Sequence, residues 1–98
     1  MLNKEIINEK LKKNKAVLKE KYHVERIGVF GSFARNEQTD DSDIDILVEF
    51  SKPVGFEFID LKFYLEELFN KKVDLTTVTA LKPRIKDKIL NRTFFSIN

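Results

Sequence analysis

The 98-residue sequence predicts an α/β (α+β) fold, in which helices pack on a mixed β-sheet. Apolar residues recur at helical spacing over residues 6–22 and again over 56–69. Short segments between and after them alternate apolar and polar residues, which is typical of strands. Because helical and strand patterns take turns along the chain, we expect a layer of helices on a sheet. The length predicts a single domain over residues 1–98.

The first element is a predicted helix that Asn3 caps and that runs to about Tyr22. Its lysines are interspersed with Glu9 and Glu20, so we interpret them as a solvated face, with a nucleic-acid or acidic-partner patch as the alternative. The apolar positions form one buried stripe: Ile6, Ile7, Leu11, Val17, Leu18 and Tyr22.

Two strands are predicted next, over residues 25–30 and 43–50. Gly31-Ser32 ends the first strand, residues 33–35 begin a short helix, and residues 36–42 form a polar loop. This link is too short for a full crossover helix. We therefore expect the two strands to be antiparallel neighbours in a mixed sheet.

The second half predicts helix, strand, helix and a short terminal strand. Asn70 is a plausible left-handed stop for the helix over 56–69, and Pro83 suits the first turn of a helix over 83–90. The strands are predicted over 72–77 and 93–97. The first of these helices carries a stripe of Phe58, Leu61, Leu65, Leu68 and Phe69, widened by Ile59 and Phe63.

Composition narrows the functional classes. Cysteine is absent, so disulfides and cysteine-ligated zinc are excluded. The polar, lysine-bearing N-terminus is unlike a signal peptide, and no apolar run approaches the roughly 20 residues of a membrane span. We therefore expect a cytoplasmic protein with no membrane contact. The net charge of +2 makes a nucleic-acid partner a weak expectation, though one that stays open.

The turn at Gly31-Ser32 is a candidate phosphate site. Glycine lets the backbone approach a ligand closely, and a helix start behind it presents unpaired N–H groups. The Ser32 hydroxyl adds a hydrogen-bond donor. By itself, a Gly-Ser turn between a strand and a helix more often has no role in ligand binding.

Asp43 and Asp45 are the candidate metal ligands. They lie two residues apart on a predicted strand, so their side chains point the same way. The apolar residues around them mark a central strand, where two neighbouring carboxylates are costly to ionise without a cation. Mg²⁺ suits such a pair, because it prefers hard oxygen ligands and keeps positions for water and phosphate.

Asp74 is a third candidate, set between Val73 and Leu75 in the predicted third strand. If that strand neighbours the second, all three carboxylates converge, and Asp74 completes a two-metal site and acts as general base. The alternative is a solvated carboxylate on an edge strand.

The pattern Gly31-Ser32, ten residues, then Asp43-x-Asp45 resembles the signature of the DNA polymerase beta-like nucleotidyltransferase superfamily. Residues 31–35, 42–48 and 73–75, followed by 81–83 and the helix to Leu90, are similar in particular to the minimal nucleotidyltransferase (MNT) subfamily, to which the MntA-like antitoxins belong. The resemblance implies a nucleotidyltransferase fold like the polymerase beta palm. One departure is Asn36, where the family has Gly; asparagine tolerates the left-handed conformation well.

The resemblance also implies roles for individual residues. Gly31 and Ser32 would contact the triphosphate of ATP. Mg²⁺, as two ions, would be held by Asp43, Asp45 and Asp74. Arg35 could neutralise phosphate charge, or be an ordinary surface arginine. The only histidine, His23, we interpret as structural or solvated.

A partner is implied as well, since the chain has no room for an acceptor-binding domain. Members of the MNT subfamily pair with a HEPN-type toxin and, as antitoxins, transfer AMP to one of its tyrosines. Two alternatives stay open: a non-catalytic antitoxin that occludes its partner, and transfer to RNA or a small molecule. The apolar face of 56–69 and the terminal Phe94-Phe95 are compatible with an oligomer with that partner, although we favour plain core packing.

Overall fold

A computed structural model describes residues 2–98. Its helices are α1 (Lys4–Lys13), α2 (Lys15–Tyr22), α3 (Gly31–Ala34), α4 (Glu57–Phe69) and α5 (Pro83–Asn91), with a 3₁₀ turn at Val78–Ala80. Its strands are β1 (Val24–Phe30), β2 (Ile44–Phe50), β3 (Val73–Thr77) and β4 (Phe94–Ile97). Each predicted strand and each later helix is present, with bounds that differ by one or two residues.

The four strands form one mixed sheet in the order β3-β2-β1-β4. β1 is antiparallel to both β2 and β4, whereas β2 and β3 are parallel. The predicted mixed sheet and the predicted antiparallel pairing of the first two strands are therefore confirmed. β2 lies inside the sheet, as its apolar sequence predicts, and β3 lies at an edge.

The main core lies on one face of the sheet, beneath α1, α2 and α4. Ile44, Ile46 and Val48 of β2 alternate onto this face. Residues two apart on a strand share a face, so Asp45 and Leu47 lie on the other side. The helices contribute a common set of buried side chains: Ile7, Leu11, Leu18, Tyr22, Leu61, Leu65 and Phe69.

The first helix is two helices, which corrects the prediction of a single one up to Tyr22. The Asn3 cap is confirmed, because its side-chain oxygen accepts the Ile6 N–H at 2.9 Å. The break falls at Asn14, whose Nδ2 donates to the Lys10 carbonyl at 2.8 Å. Asparagine competes for backbone hydrogen bonds in this way, and so disfavours a helix interior. The break also turns Val17 outward, to 39% exposure.

Helix α4 is only partly covered by the core. Its stop at Asn70 is confirmed by a left-handed φ of 51°. The prediction that Ile59 and Phe63 widen the buried stripe is wrong, because they are 47% and 59% exposed. Phe56, just before the helix, is 86% exposed. Plain core packing therefore does not account for this side of α4.

Strand β4 approaches β1 very closely at Gly28. A Cβ added to Gly28 would lie 2.6 Å from the Phe94 carbonyl oxygen and 2.7 Å from the Phe95 Cα. Phe94 packs against the core, and the Phe95 ring lies under the Arg26 guanidinium at 4.8 Å. Core packing is therefore confirmed for Phe94. The exposed side of α4 does not take part in the core.

No helix within residues 2–98 is both long and apolar enough to cross a bilayer.

Candidate active site

The three candidate carboxylates lie at one end of the two parallel strands. Asp45 on β2 pairs in register with Asp74 on β3. Asp43 directly precedes β2, which begins at Ile44. Asp45 is half-buried, while Asp43 and Asp74 are exposed. The adjacency of β2 and β3, on which convergence of the carboxylates depends, is therefore present.

The electrostatics of the cluster centre on Asp45. Burial raises the pKa of the Asp45 carboxyl above its ordinary value, and repulsion from Asp74 and then Asp43 raises that pKa further. The positive charge of Arg35 acts in the opposite direction. The strand therefore carries like charges that disfavour the ionised form of Asp45 and would be relieved by a cation.

Gly31 lies directly beside this carboxylate. It adopts a φ of 70°, a left-handed conformation that glycine accepts at little cost. A Cβ at this position would overlap the Asp45 carboxylate oxygen Oδ2 and lie 3.1 Å from its Cγ. Glycine therefore leaves room for the Asp45 side chain and accepts the backbone conformation, a reason that the sequence alone does not reveal.

Helix α3 carries the remaining predicted phosphate contacts. It begins at Gly31, two residues earlier than expected, and the buried ring of Phe33 anchors it to the core. Ser32 is half-buried in its first turn. The following Asn36 has a φ of 58°, so the predicted left-handed conformation at this position is confirmed.

Arg35 lies near the carboxylates, but its side chain is paired with Glu37. Its Nε donates to Glu37 Oε1 at 2.7 Å, and its side chain is 53% exposed. The contact with Glu37 is an exposed ion pair, which is weak and easily exchanged. Arg35 is therefore free to turn toward a phosphate at small cost.

The donor set fits magnesium held by a pair of carboxylates. Within residues 2–98, no three carboxylate or imidazole groups lie close enough to form a metal cluster by themselves. Over the same residues, Asp43, Asp45 and Asp74 form no salt bridge with a cationic side chain. Mg²⁺ is commonly bound by one or two carboxylates together with substrate phosphates, so three protein carboxylates around one ion are not needed.

A cavity of about 650 Å³ lies at the opposite ends of β2 and β3. Phe50, Val54, Phe58 and Val78 are among the residues that line it. Val48, the β2 residue of its lining that is nearest to Asp45, is three residues away along the strand, roughly 10 Å. The carboxylates and Gly31 lie at the other end of these strands, and we place the chemistry there.

His23 has a structural role, as predicted. It ends α2 in a left-handed conformation, with a φ of 59°. Its Nε2 lies 3.9 Å from Glu57 Oε2, at the end of β1 far from the carboxylates.

Comparison with known proteins decides the family. The nucleotidyltransferase domain family matches residues 11–95 of the chain, which include all six predicted site residues. The chain belongs to the nucleotidyltransferase domain family. It is therefore a nucleotidyltransferase, and the resemblance seen in Gly31-Ser32 and Asp43-x-Asp45 is confirmed.

Relatives of this nucleotidyltransferase are similar over most of its length. A protein of Methanocaldococcus jannaschii, provisionally named a protein adenylyltransferase, is 53% identical over 85 residues, covering 85% of this chain and 87% of the relative. The protein adenylyltransferase MntA of Thermococcus cleftensis is 42% identical over 96 residues, covering 97% of each.

Solved structures agree with the nucleotidyltransferase fold. A structure provisionally described as a minimal nucleotidyltransferase superposes with a TM-score of 0.80 at 30% identity, covering 95% of each chain. A toxin–antitoxin crystallised with AMP-PNP superposes with a TM-score of 0.69 at 22% identity, covering 97% of this chain and 73% of that one. At that identity the second likeness concerns the fold.

Proposed function

We propose that this protein is an Mg²⁺-dependent protein adenylyltransferase. It transfers AMP from ATP to a hydroxyl group, namely a tyrosine of a HEPN-type toxin, and so acts as the antitoxin of a pair. The observation that carries the proposal is the Asp45 carboxylate, which lies against Gly31 at the start of α3 and is repelled by the nearby charges of Asp74 and Asp43. The names of the relatives support protein as the acceptor.

Asp43 and Asp45 are the residues that would hold Mg²⁺, with Asp74 as an additional ligand. When bound, Mg²⁺ neutralises charge on the carboxylates and polarises the phosphate oxygens. The raised pKa of Asp45 fits this role, because a nearby cation would favour its ionised form. Gly31 and Ser32 bind the triphosphate, and Arg35 adds a positive charge beside it.

The chemistry is a single displacement at phosphorus. The acceptor oxygen forms a bond to the α-phosphorus, the bond from that phosphorus to the bridging oxygen breaks, and pyrophosphate leaves. Asp74 accepts the proton of the acceptor hydroxyl. Its exposure on the edge strand β3 suits this role, since a hydroxyl on another macromolecule has to reach it.

The test mixes the protein with ATP, Mg²⁺ and the product of the neighbouring gene, and measures intact mass. We expect AMP on the partner with the wild type and none with Asp43→Ala/Asp45→Ala. The matched control is Asp40→Ala/Asp41→Ala, because these aspartates are exposed in the loop before Asp43. This control should transfer AMP normally.

Two outcomes would contradict the proposal. An unmodified partner that is neutralised equally by wild type and by Asp43→Ala/Asp45→Ala indicates an antitoxin that works by occlusion. An adduct that appears only when RNA or a small molecule replaces the protein partner moves the acceptor to another class.

A further inference from the structure

The outer side of α4 carries a stripe that alternates aromatic and acidic residues. Phe56, Asp60, Phe63 and Glu67 are spaced by four, three and four residues, and so lie on one side of the helix. The two rings are 86% and 59% exposed, and Ile59 beside them is 47% exposed. We call these five residues the acidic ridge.

The residues of the acidic ridge do not contribute to the hydrophobic core of their own molecule. The opposite side of α4 buries Leu61, Leu65 and Phe69, and these complete the helix-to-sheet contact. Two exposed phenylalanines and an isoleucine side by side form the kind of apolar patch that marks a protein contact. Carboxylates on the same stripe favour a partner surface that is apolar and basic.

Helix α5 presents a surface of that kind. None of its residues is buried. Arg84 and Lys88 lie four residues apart on it, and Arg92, four residues further on, is its exposed C-cap. Ile85, which is 40% exposed, lies beside this row. We call these four residues the basic row. Like charges at this spacing repel along a helix, so the row gains from an acidic surface.

The acidic ridge and the basic row do not pair with each other within one molecule. α4 and α5 do not pack closely on each other. Over residues 2–98, the acidic side chains of the ridge and the cations of the row take part in no salt bridge. Each surface is thus apolar, charged and unsatisfied, and the two charges are opposite.

We propose that the protein self-associates, with the acidic ridge of one copy against the basic row of a second copy. A two-fold symmetric dimer would make this contact twice. The inference is independent of the proposed acceptor, because no residue of either surface belongs to the carboxylate cluster. Self-association would also cover Phe56 and Phe63, which are otherwise exposed to water.

A charge-exchange experiment tests the contact. One variant, Asp60→Lys/Glu67→Lys, makes the ridge basic, and the other, Arg84→Glu/Lys88→Glu, makes the row acidic. We expect wild type to sediment as a dimer that weakens at high salt, and each variant to weaken self-association by about tenfold or more. Their equimolar mixture should associate again, because ridge and row are then opposite in charge at each contact.

A second variant, Phe56→Ser/Phe63→Ser, tests the apolar part of the contact and should also weaken self-association. Thermal unfolding of every variant is measured to show that the fold is kept, since the changed residues are exposed. Wild type that sediments as a monomer would overturn the proposal, whether or not the ridge then binds a different protein. So would charge variants that remain dimers, or a mixture that stays monomeric.

Discussion

At the scale of single residues, the site depends on the contact between Gly31 and Asp45. The carboxylate occupies the space that any larger residue at position 31 would need. Its ionisation is disfavoured by burial and by its two acidic neighbours. The protein therefore carries a local electrostatic cost in its metal-free form, and this cost can be measured.

We expect Asp45→Asn to stabilise the metal-free protein at neutral pH. A carboxyl whose pKa is raised by folding favours the folded state at low pH, and that contribution is lost as pH rises above 3.8 through the folded-state pKa. Removing the charge should add about 0.5 kcal/mol, or roughly 2–4 °C in Tm for a domain of this size. Thermal unfolding without Mg²⁺ measures the gain.

The same variant gives a second readout. Its advantage over wild type should shrink as pH falls toward 3.8, and added Mg²⁺ should raise the Tm of wild type more than that of the variant. A variant that is less stable than wild type at neutral pH would show that Asp45 is not under repulsion.

Gly31→Ala should lose activity and stability together. The new Cβ would displace the Asp45 carboxylate, and alanine is also strained at a φ of 70°. We expect a cost of about 1–3 kcal/mol in the free energy of unfolding and a loss of AMP transfer of roughly tenfold or more. Urea unfolding and the transfer assay measure the two effects.

Gly55→Ala is the matched control, because a Cβ at Gly55 meets no atom within 4 Å. It should leave transfer unchanged. Equal effects at positions 31 and 55 would contradict the role given to the Asp45 contact.

Residue types and spacing predicted the candidate site, but not its internal contacts. The pairing of Asp45 with Asp74 followed once β2 and β3 were placed side by side. The close approach of Gly31 to the Asp45 side chain depends on the register of β1 against β2, which no local pattern encodes. The catalytic and binding roles of these residues stay predictions.

At the scale of elements, the connection between α1 and α2 is the main departure from the sequence pattern. Periodicity over residues 6–22 predicts one helix, yet Asn14 interrupts it. Its Oδ1 accepts a 2.6 Å hydrogen bond from the Tyr64 hydroxyl on α4, a contact 50 residues away along the chain. Burial raises the pKa of that hydroxyl, with a smaller effect from Tyr22. Tertiary contacts of this kind override helical periodicity.

We expect Asn14→Ala to destabilise the fold, although alanine is the better helix former. The change leaves the half-buried Tyr64 hydroxyl without its acceptor, which costs about 1–3 kcal/mol and exceeds the gain in helix propensity. Urea unfolding measures the difference. Lys15→Ala, at an exposed neighbouring position, is the control and should be close to neutral. A stabilised Asn14→Ala would mean that the interruption has no tertiary cause.

At the scale of the whole molecule, β4 closes the sheet beside the strand that leads into the site. β1 pairs with β2 on one side and with β4 on the other, so Gly28 lies between Leu47 and Phe95. The order of the four strands was not predictable, because residues 93–97 carry no pattern that selects a partner strand.

We expect Gly28→Ala to detach β4. A Cβ at 2.6 Å from the Phe94 carbonyl oxygen meets backbone that cannot rotate away, so the strand has to move. The cost should be about 2–4 kcal/mol. Hydrogen exchange of the β4 amides should accelerate, while amides in the β2–β3 pair remain protected. Unchanged protection of β4 would contradict the close approach.

The directions of the strands also decide where a label can be attached. The N-terminal segment lies beside the site, since Lys4 Nζ donates to the Ala34 carbonyl at 3.2 Å and Gln38 to that of Leu2 at 3.5 Å. β4 runs the other way, from Phe94 opposite Val29 to Ile97 opposite Ile27. A fluorophore or surface anchor joined after Asn98 would therefore leave the carboxylates open to a large acceptor, whereas the same group before Leu2 would crowd them.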